Sequence, residues 1–313
     1  MMKFVGKLIG YGLLAIMGLL LVLSAIYFRT DIPAETLKAR YANEASKFIE
    51  VQGMPVHYRD EGRGPVLVLL HGTAASLHTW DAWTEILKKK YRIIRLDLPG
   101  FGLTGPHPAR KYQIQDYIAF LRIFTHKLGL NTFHLAGNSL GGHIAWEFAL
   151  DYPKVVEKLI LIDPAGYPLK SDPPFVFRLA RTPVFNQLVR YITPRFFFRN
   201  NLEQVYHRDS LITEKLIDRY YYLARREGNR QAFIDRANTP ALSRYTRLGD
   251  IIAPTLVMWG QEDAWIPAFL ADKFAQAIPN AKVRLYEAAG HVPMEEIPEL
   301  TVRDAEKFLD SNY

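Results

Sequence analysis

The stretch "TFHLAGNSLGGHIAWEFAL", Thr132 to Leu150, passes from a strand-like apolar run into a helix-like one through Gly-Asn-Ser-Leu-Gly-Gly. A strand that turns this abruptly into a helix brings backbone against backbone and forces unusual dihedrals, which glycine tolerates at Gly137, Gly141 and Gly142. Such a turn lifts Ser139 off the end of the strand and exposes its hydroxyl. This is the G-x-S-x-G elbow pattern, and it commits the chain to a sheet with a helix starting at that strand's carboxyl end.

The surrounding sequence repeats the strand-then-helix rhythm. "PVLVLLH" ends at His71, "YRIIRLD" at Asp97, "VEKLILID" at Asp163 and "PTLVMWG" at Gly260. These continuous apolar runs suit strands buried on both faces of a parallel sheet. "KFIEV" and "MPVHYRD", separated by Gln52-Gly53, read as a leading hairpin, and "AKVRLYEAA" reads as the last strand. Helices are expected over about 78–89, 114–128, 140–150, 267–277 and 300–309, with a short linker helix over Thr36 to Lys47. Between Gly166 and Leu248 the rhythm stops, leaving helical periodicity and aromatic clusters. That segment holds 13 arginines and two lysines against seven acidic residues. It reads as a helical cap inserted before the penultimate strand, over the sheet's carboxyl edge where α/β sites form. The expected organisation is an anchor at 1–30, a linker at 31–46, a core at 47–166 and 249–313, and the cap at 167–248.

The anchor is the run Leu8 to Phe28, 21 residues without a charge. As a helix it spans about 30 Å, enough for the hydrocarbon core of a bilayer. Lys3 and Lys7 precede it, so the positive-inside bias places the N-terminus in the cytoplasm and the body on the periplasmic or extracellular side. A cleaved secretory signal is the alternative. The chain has no cysteine, which excludes disulfides, a thiol nucleophile and thiolate metal sites. The net charge is +7, yet no long basic tract marks a nucleic-acid partner.

A serine hydroxyl attacks only when a base takes its proton. His291 in "AAGHVPMEE" follows the last strand and reaches the same sheet edge. The imidazole needs a carboxylate behind it. Asp263 in "WGQEDAWIP", just after the preceding strand, is the first candidate, and Asp163 is its rival; Glu262 reads as a solvated loop charge. An oxyanion calls for two preorganised donors. The backbone N–H groups of Leu140 and Thr73 are assigned here, with Ala74 in reserve, while His71 shapes the "HGTAAS" loop. Gly100, Gly102 and Gly105 read as loop shapers. The remaining histidines form no spaced metal cluster, so neither metal nor cofactor is expected.

"LLHGTAAS", "RLDLPGFG", "GNSLGG", "WGQEDAWIP" and "AAGHVPMEE" together resemble the landmarks of the α/β-hydrolase superfamily over about residues 48–309. The resemblance implies that fold and a Ser139–Asp263–His291 triad. "GNSLGG" is similar to the elbow of hydrolases that cleave carbon–carbon bonds in ring-fission products, whereas "HGTAAS" departs from their glycine-rich oxyanion loop. Serine at the elbow disfavours the aspartate-nucleophile dehalogenases and epoxide hydrolases. An anchor joined to this core resembles membrane-bound monoacylglycerol lipases and bacterial lipase-like esterases. The expected function is hydrolysis of carboxylic esters, with acylglycerols or other amphiphiles as candidates. Carbon–carbon or amide hydrolysis with the same triad is an alternative, and a catalytically silent membrane-bound binding protein is another. The basic cap, with Arg178, Arg181, Arg190, Arg195 and Arg199, is a candidate contact for anionic lipid.

Overall fold

The computed structural model describes residues 2–169, 173–183, 185–240 and 242–311. Its eight strands are β1 (Ser46–Val51), β2 (Met54–Glu61), β3 (Val66–Leu70), β4 (Arg92–Leu96), β5 (Phe133–Asn138), β6 (Val156–Ile162), β7 (Thr255–Gly260) and β8 (Ala281–Tyr286). They form one sheet in the order β1-β2-β4-β3-β5-β6-β7-β8. The β1–β2 hairpin pairs antiparallel, as does β2 with β4, and every later pair is parallel. This is the mostly parallel sheet that the alternation implies and the α/β-hydrolase architecture that the resemblance implies.

Period-two alternation in the apolar strands divides the core into two layers. Val68 and Leu70 of β3, Leu159 and Leu161 of β6, and Val257 and Trp259 of β7 face one layer. Leu67, Leu69, Ile160, Ile162, Leu256 and Met258 face the other. Helices α4 (Ile114–Lys127), α5 (Leu140–Asp151) and α11 (Leu270–Ala277) cover the first layer, and α3 (Asp81–Leu87) and α13 (Pro298–Asp310) cover the second. Each fully buried side chain of this kind contributes roughly 1.5–3 kcal/mol.

The insertion between β6 and β7 carries α6 (Phe175–Arg181), α7 (Phe185–Val189), α8 (Arg195–Val205), α9 (Glu214–Ala224) and α10 (Asn229–Asn238). Leu202, Val205, Tyr206, Ile212 and Ile217 seat it on the second core layer. The short α12 (Pro293–Glu296) follows His291. Helix α1 (Met2–Tyr27) includes the 19-residue span Ile9–Tyr27, with mean hydropathy 2.4, none of it buried in the protein and long enough to cross a membrane.

Several boundaries differ from the sequence reading. The linker helix α2 covers Ala34–Tyr41 and stops short of Lys47. Asn43 ends it: its side-chain oxygen accepts the Ala45 N–H, its own N–H donates to Ser46 Oγ, and Ser46 then opens β1. The helix expected from His78 is split, because Leu77–Trp80 is a 3-10 turn and α3 starts at Asp81. The last strand ends at Tyr286 because Ala288, at φ +53°, turns the chain toward His291.

The elbow is a tight passage of the chain. Ser139 has φ +53° and ψ −113°. A Cβ on Gly137 would overlap the Gly141 carbonyl, and one on Gly141 would overlap the Leu70 and His71 carbonyls of the neighbouring strand end. All of these obstacles are backbone, so no side-chain rotation relieves them. Gly141→Ala is therefore expected to cost about 3 kcal/mol or more, at the upper end of overpacking. Gly249→Ala, whose added methyl meets its nearest neighbour at 3.6 Å, is expected to stay within about 0.5 kcal/mol. Urea midpoints of the two variants in detergent measure the difference.

Candidate active site

Four strand ends build the site. β5 delivers Ser139, β7 leads to Asp263, the turn after β8 delivers His291, and β3 leads into the loop of Thr73. Ser139, Thr73, Ala74 and His291 line one pocket beneath the cap. Ser139 and Thr73 thus meet at the carboxyl edge, and Leu140 follows the serine as the first residue of α5. Among the described residues the N–H groups of Thr73 and Leu140 have no protein partner.

His291 is held from three sides. Its Nδ1–H donates to Asp263 Oδ2 at 2.7 Å. Its N–H donates to Val205 O of the cap at 2.8 Å. Its carbonyl accepts from Asn138 Nδ2 at 3.0 Å, so the residue before the serine fastens the histidine backbone. The ring is buried at 3% exposure, and Nε2 has no partner among the described residues. An imidazole with Nδ1–H committed to a carboxylate presents a bare lone pair at Nε2, the atom a general base uses. Asp263 is fixed in turn, its Oδ1 accepting the Trp265 and Ile266 N–H groups at 2.8 and 2.9 Å.

Asp163, the rival acid, is not bonded to the histidine. It is wholly buried, and its Oδ1 accepts the Gly260 N–H at 3.0 Å. Burial, reinforced by the neighbouring Asp263 carboxylate, raises its pKa well above the ordinary carboxylate range. One ligand atom from each of Asp163, Asp263 and His291 lies within 4.8 Å of the others. Within this group His291 Nδ1 and Asp263 Oδ2 are bonded to each other.

The sequence reading gave no role to Glu295 and Glu296, the two acids that end "AAGHVPMEE". Glu295 accepts from Thr79 Oγ1, from Tyr206 OH at 2.9 Å and from Arg219 at 2.9 Å. Glu296 accepts the N–H groups of Gly290, His207 and Arg208 at 2.6, 3.0 and 3.1 Å. These contacts lock the histidine loop to the cap. Two adjacent acids in a loop otherwise buried among apolar residues are the signal that marks them. His71 does shape its loop: Nδ1–H donates to Gly72 O at 2.7 Å and Nε2 accepts the Leu98 N–H at 2.9 Å, while burial lowers its pKa.

A second serine–histidine–carboxylate row lies away from this pocket. His57 Nδ1 meets Asp97 Oδ2 at 2.8 Å and Nε2 meets Ser46 Oγ at 2.9 Å. Its serine also bonds Asn43 and Arg59. Asp97 accepts the Leu77 and Leu103 N–H groups at 2.7 and 2.8 Å. Burial works to raise the Asp97 carboxyl, but His57, His71 and His78 more than offset it and hold it well below the usual range. Ser46 does not line the pocket of Ser139. This row therefore acts as a staple between the hairpin and the loops behind the site.

Residues 65–298 match the family model described as alpha/beta hydrolase fold. An uncharacterized hydrolase of Bacillus subtilis, YugF, is 28% identical over 81% of this chain and 92% of its own. A 2-hydroxy-6-oxononadienedioate/2-hydroxy-6-oxononatrienedioate hydrolase of Burkholderia vietnamiensis is 29% identical over 90% of this chain and 98% of its own. Among solved structures, a bacterial membrane phospholipase A superposes with a TM-score of 0.74 at 28% identity, covering 99% of this chain and 98% of that one.

The raised Asp163 carboxyl has a thermodynamic consequence. The unfolded chain releases that proton near pH 4, whereas the folded chain keeps it, so folding stability falls as pH rises above the unfolded value. Asp163→Asn keeps a neutral donor in place and removes this loss. The variant is expected to match wild type near pH 3.5 and to gain stability over it as pH rises to 7, measured by denaturant titration across that range.

Proposed function

The chain belongs to the α/β-hydrolase family, and on that premise we propose that it is a serine hydrolase cleaving carboxylic esters of apolar acyl chains at a membrane. Ser139 Oγ attacks the acyl carbonyl while His291 Nε2 accepts its proton. The oxyanion settles on the N–H groups of Thr73 and Leu140. Collapse returns the proton from His291 to the departing alcohol and leaves an acyl-enzyme. Water, deprotonated by the same nitrogen, releases the acid.

The observation that carries the ester reading is the pocket lining. Val176, Phe177, Leu179, Phe197, Phe233 and Trp265 make its walls. The cationic side chain among the lining residues is Arg230, and its guanidinium is already bonded to Asp31 at 2.6 and 3.0 Å and to Thr193 at 2.8 Å. An uncharged acyl chain fits such walls, whereas a dicarboxylate would bury charge without a free partner. The match along nearly the whole chain to a membrane phospholipase A supports the same reading.

Cleavage of a carbon–carbon bond is the second reading, and the curated relatives favour it by number. Named dienoate, dienedioate and trienedioate hydrolases recur among them at 27–29% identity. Hydrolysis of a 6-oxo-dienoate breaks a carbon–carbon bond with the same nucleophile and base. We favour the ester on the physical ground of the uncharged pocket.

The apolar span of α1 supports a single membrane anchor, and Lys3 and Lys7 before it support a cytoplasmic N-terminus. The contribution of the cap arginines to anionic lipid is smaller than the sequence suggests. Arg195 pairs with Glu214 and Asp218, Arg199 pairs with Glu214, and Arg181 donates to the Ala237 carbonyl. Arg178 and Arg190 are left to meet headgroups.

Ser139→Ala is expected to abolish labelling by a fluorophosphonate and to cut turnover by several orders of magnitude, leaving about 10³–10⁴ over water from binding and the oxyanion donors. Asp263→Asn is expected to cost about 10⁴ in kcat, and Asp163→Asn less than about tenfold, since Asp163 is not bonded to the imidazole; reversed losses would move the acid to the end of β6. A panel of acyl esters, amides and 6-oxo-dienoates assayed on the full chain in micelles decides the reaction class. Faster turnover of the dienoate than of every ester would replace the ester reading with carbon–carbon cleavage.

A further inference from the structure

The outer face of the cap is apolar where it meets the end of α1. Phe28, just past the helix, is 50% exposed, Phe175 55%, Phe185 52% and Phe196 46%. The end of α1 touches this face directly. The Phe28 ring stacks on Tyr191 with centroids 5.8 Å apart, and Tyr27 meets Phe196 edge-on at 5.8 Å. Backbone bonds run alongside: Arg29 N–H donates to Tyr191 O at 2.7 Å and Thr193 N–H to Tyr27 O at 3.3 Å. The Asp31–Arg230 pair then fixes the next turn of chain to α10. The membrane-length helix therefore leads straight into the cap surface without a free tether between them.

The chemistry of this face suits a bilayer boundary. Arg178 lies 5.9 Å from the Phe175 ring and Arg190 lies 5.3 Å from Tyr191. Neither has an acidic partner among the described residues. Aromatic rings flanked by such cations are the composition of the headgroup level, where the ring is buried and the long side chain reaches up to phosphate. A water-facing surface gains nothing from several exposed phenylalanines, and a contiguous apolar patch marks an interaction site.

The same wall is also the wall of the pocket. Val176 and Phe177 line the cavity beside exposed Phe175, Ile192 and Thr193 line it beside Tyr191, and Phe197 lines it beside Phe196. One layer of side chains separates the apolar outer face from the site of Ser139.

We propose that this face of the cap is seated in the headgroup–acyl boundary of the bilayer spanned by α1, so that an acyl chain enters the pocket from lipid. The proposal rests on reading α1 as a bilayer span, and it is independent of which bond Ser139 cleaves. Because the chain has no cysteine, single-site labelling tests it directly. Phe175→Cys, Phe185→Cys and Phe196→Cys in the full chain each receive an environment-sensitive fluorophore in phosphatidylcholine–phosphatidylglycerol nanodiscs, with nitroxide on the lipid chain near the headgroup. Ile123→Cys on α4 and Leu300→Cys on α13, both exposed and away from the cap, serve as controls, and Leu14→Cys reports on α1. Lipid quenching at least about threefold stronger at the three cap sites than at the controls is expected, given the nanometre reach of such quenchers and a burial of about 5–10 Å. Quenching at Leu14→Cys with none at the cap sites would overturn the proposal. A blue-shifted label at the cap without lipid quenching would also overturn it, assigning the face to a second copy of the chain. Absence of quenching at Leu14→Cys would remove the anchor reading itself.

Discussion

The backbone of Gly141 lies against the carbonyls that end β3, and the rest of the site is arranged around that approach. It sets the first turn of α5 directly beside the loop of Thr73 and leaves Ser139 in a left-handed conformation. Such a conformation costs about 1–3 kcal/mol for a residue with a side chain and survives only where surrounding packing dictates it. Here the packing is the doubly buried sheet: β3, β5 and β6 are apolar on both faces and cannot shift register without exposing one core layer. The strain at the serine is thus held by the same side chains that stabilise the fold.

On the opposite side of the pocket, restraint comes from polar groups. Asp263 is pinned by two backbone N–H groups, and the histidine is pinned by Asp263, Val205 and Asn138. Glu295 and Glu296 carry that restraint into the cap through Arg219, Tyr206 and the backbone at residues 207–208. Buried ion pairs of this sort add little net stability but make loss of one partner costly, about 3–5 kcal/mol. Their effect is to give the histidine loop one position, set jointly by the sheet and the cap. A displacement of the cap at Tyr206 would therefore be felt at His291.

What enters the pocket and the chemistry done on it depend on different parts of the chain. The elbow and its relatives speak to a reaction mechanism shared by esters and ring-fission ketones, since nucleophile, base and oxyanion donors are common to both. Discrimination between them rests with the side chains that line the pocket, most of which come from the cap. Arg230 illustrates this: an arginine in a pocket wall suggests carboxylate recognition until Asp31 is seen to occupy it. That carboxylate comes from the segment just after α1, so this segment contributes to the electrostatics of the pocket.

The elbow, the strand order of the candidate site residues and the long apolar helix were legible in the sequence because each depends on local chemistry: glycine where backbones touch, apolar runs where strands are buried twice, and 21 uncharged residues in one run. The same locality explains the errors at element ends. Asn43 and Ala288 redirect the chain through single hydrogen bonds and dihedrals that periodicity does not register. What the linear order left open was decided by contacts between residues far apart in the chain. Asp163 and Asp263 both follow apolar strands, and only the fold shows that the second meets the His291 ring while the first is buried beside it, where burial and the Asp263 carboxylate raise its pKa well above the ordinary range. Five cap arginines look alike in sequence, yet acids from α9 neutralise two of them and leave Arg178 and Arg190 beside exposed aromatic rings. Residue type and local spacing thus determined the candidates and the fold that carries them. Charge pairing, burial and the junction of anchor with cap are properties of long-range proximity, which only the tertiary structure decides.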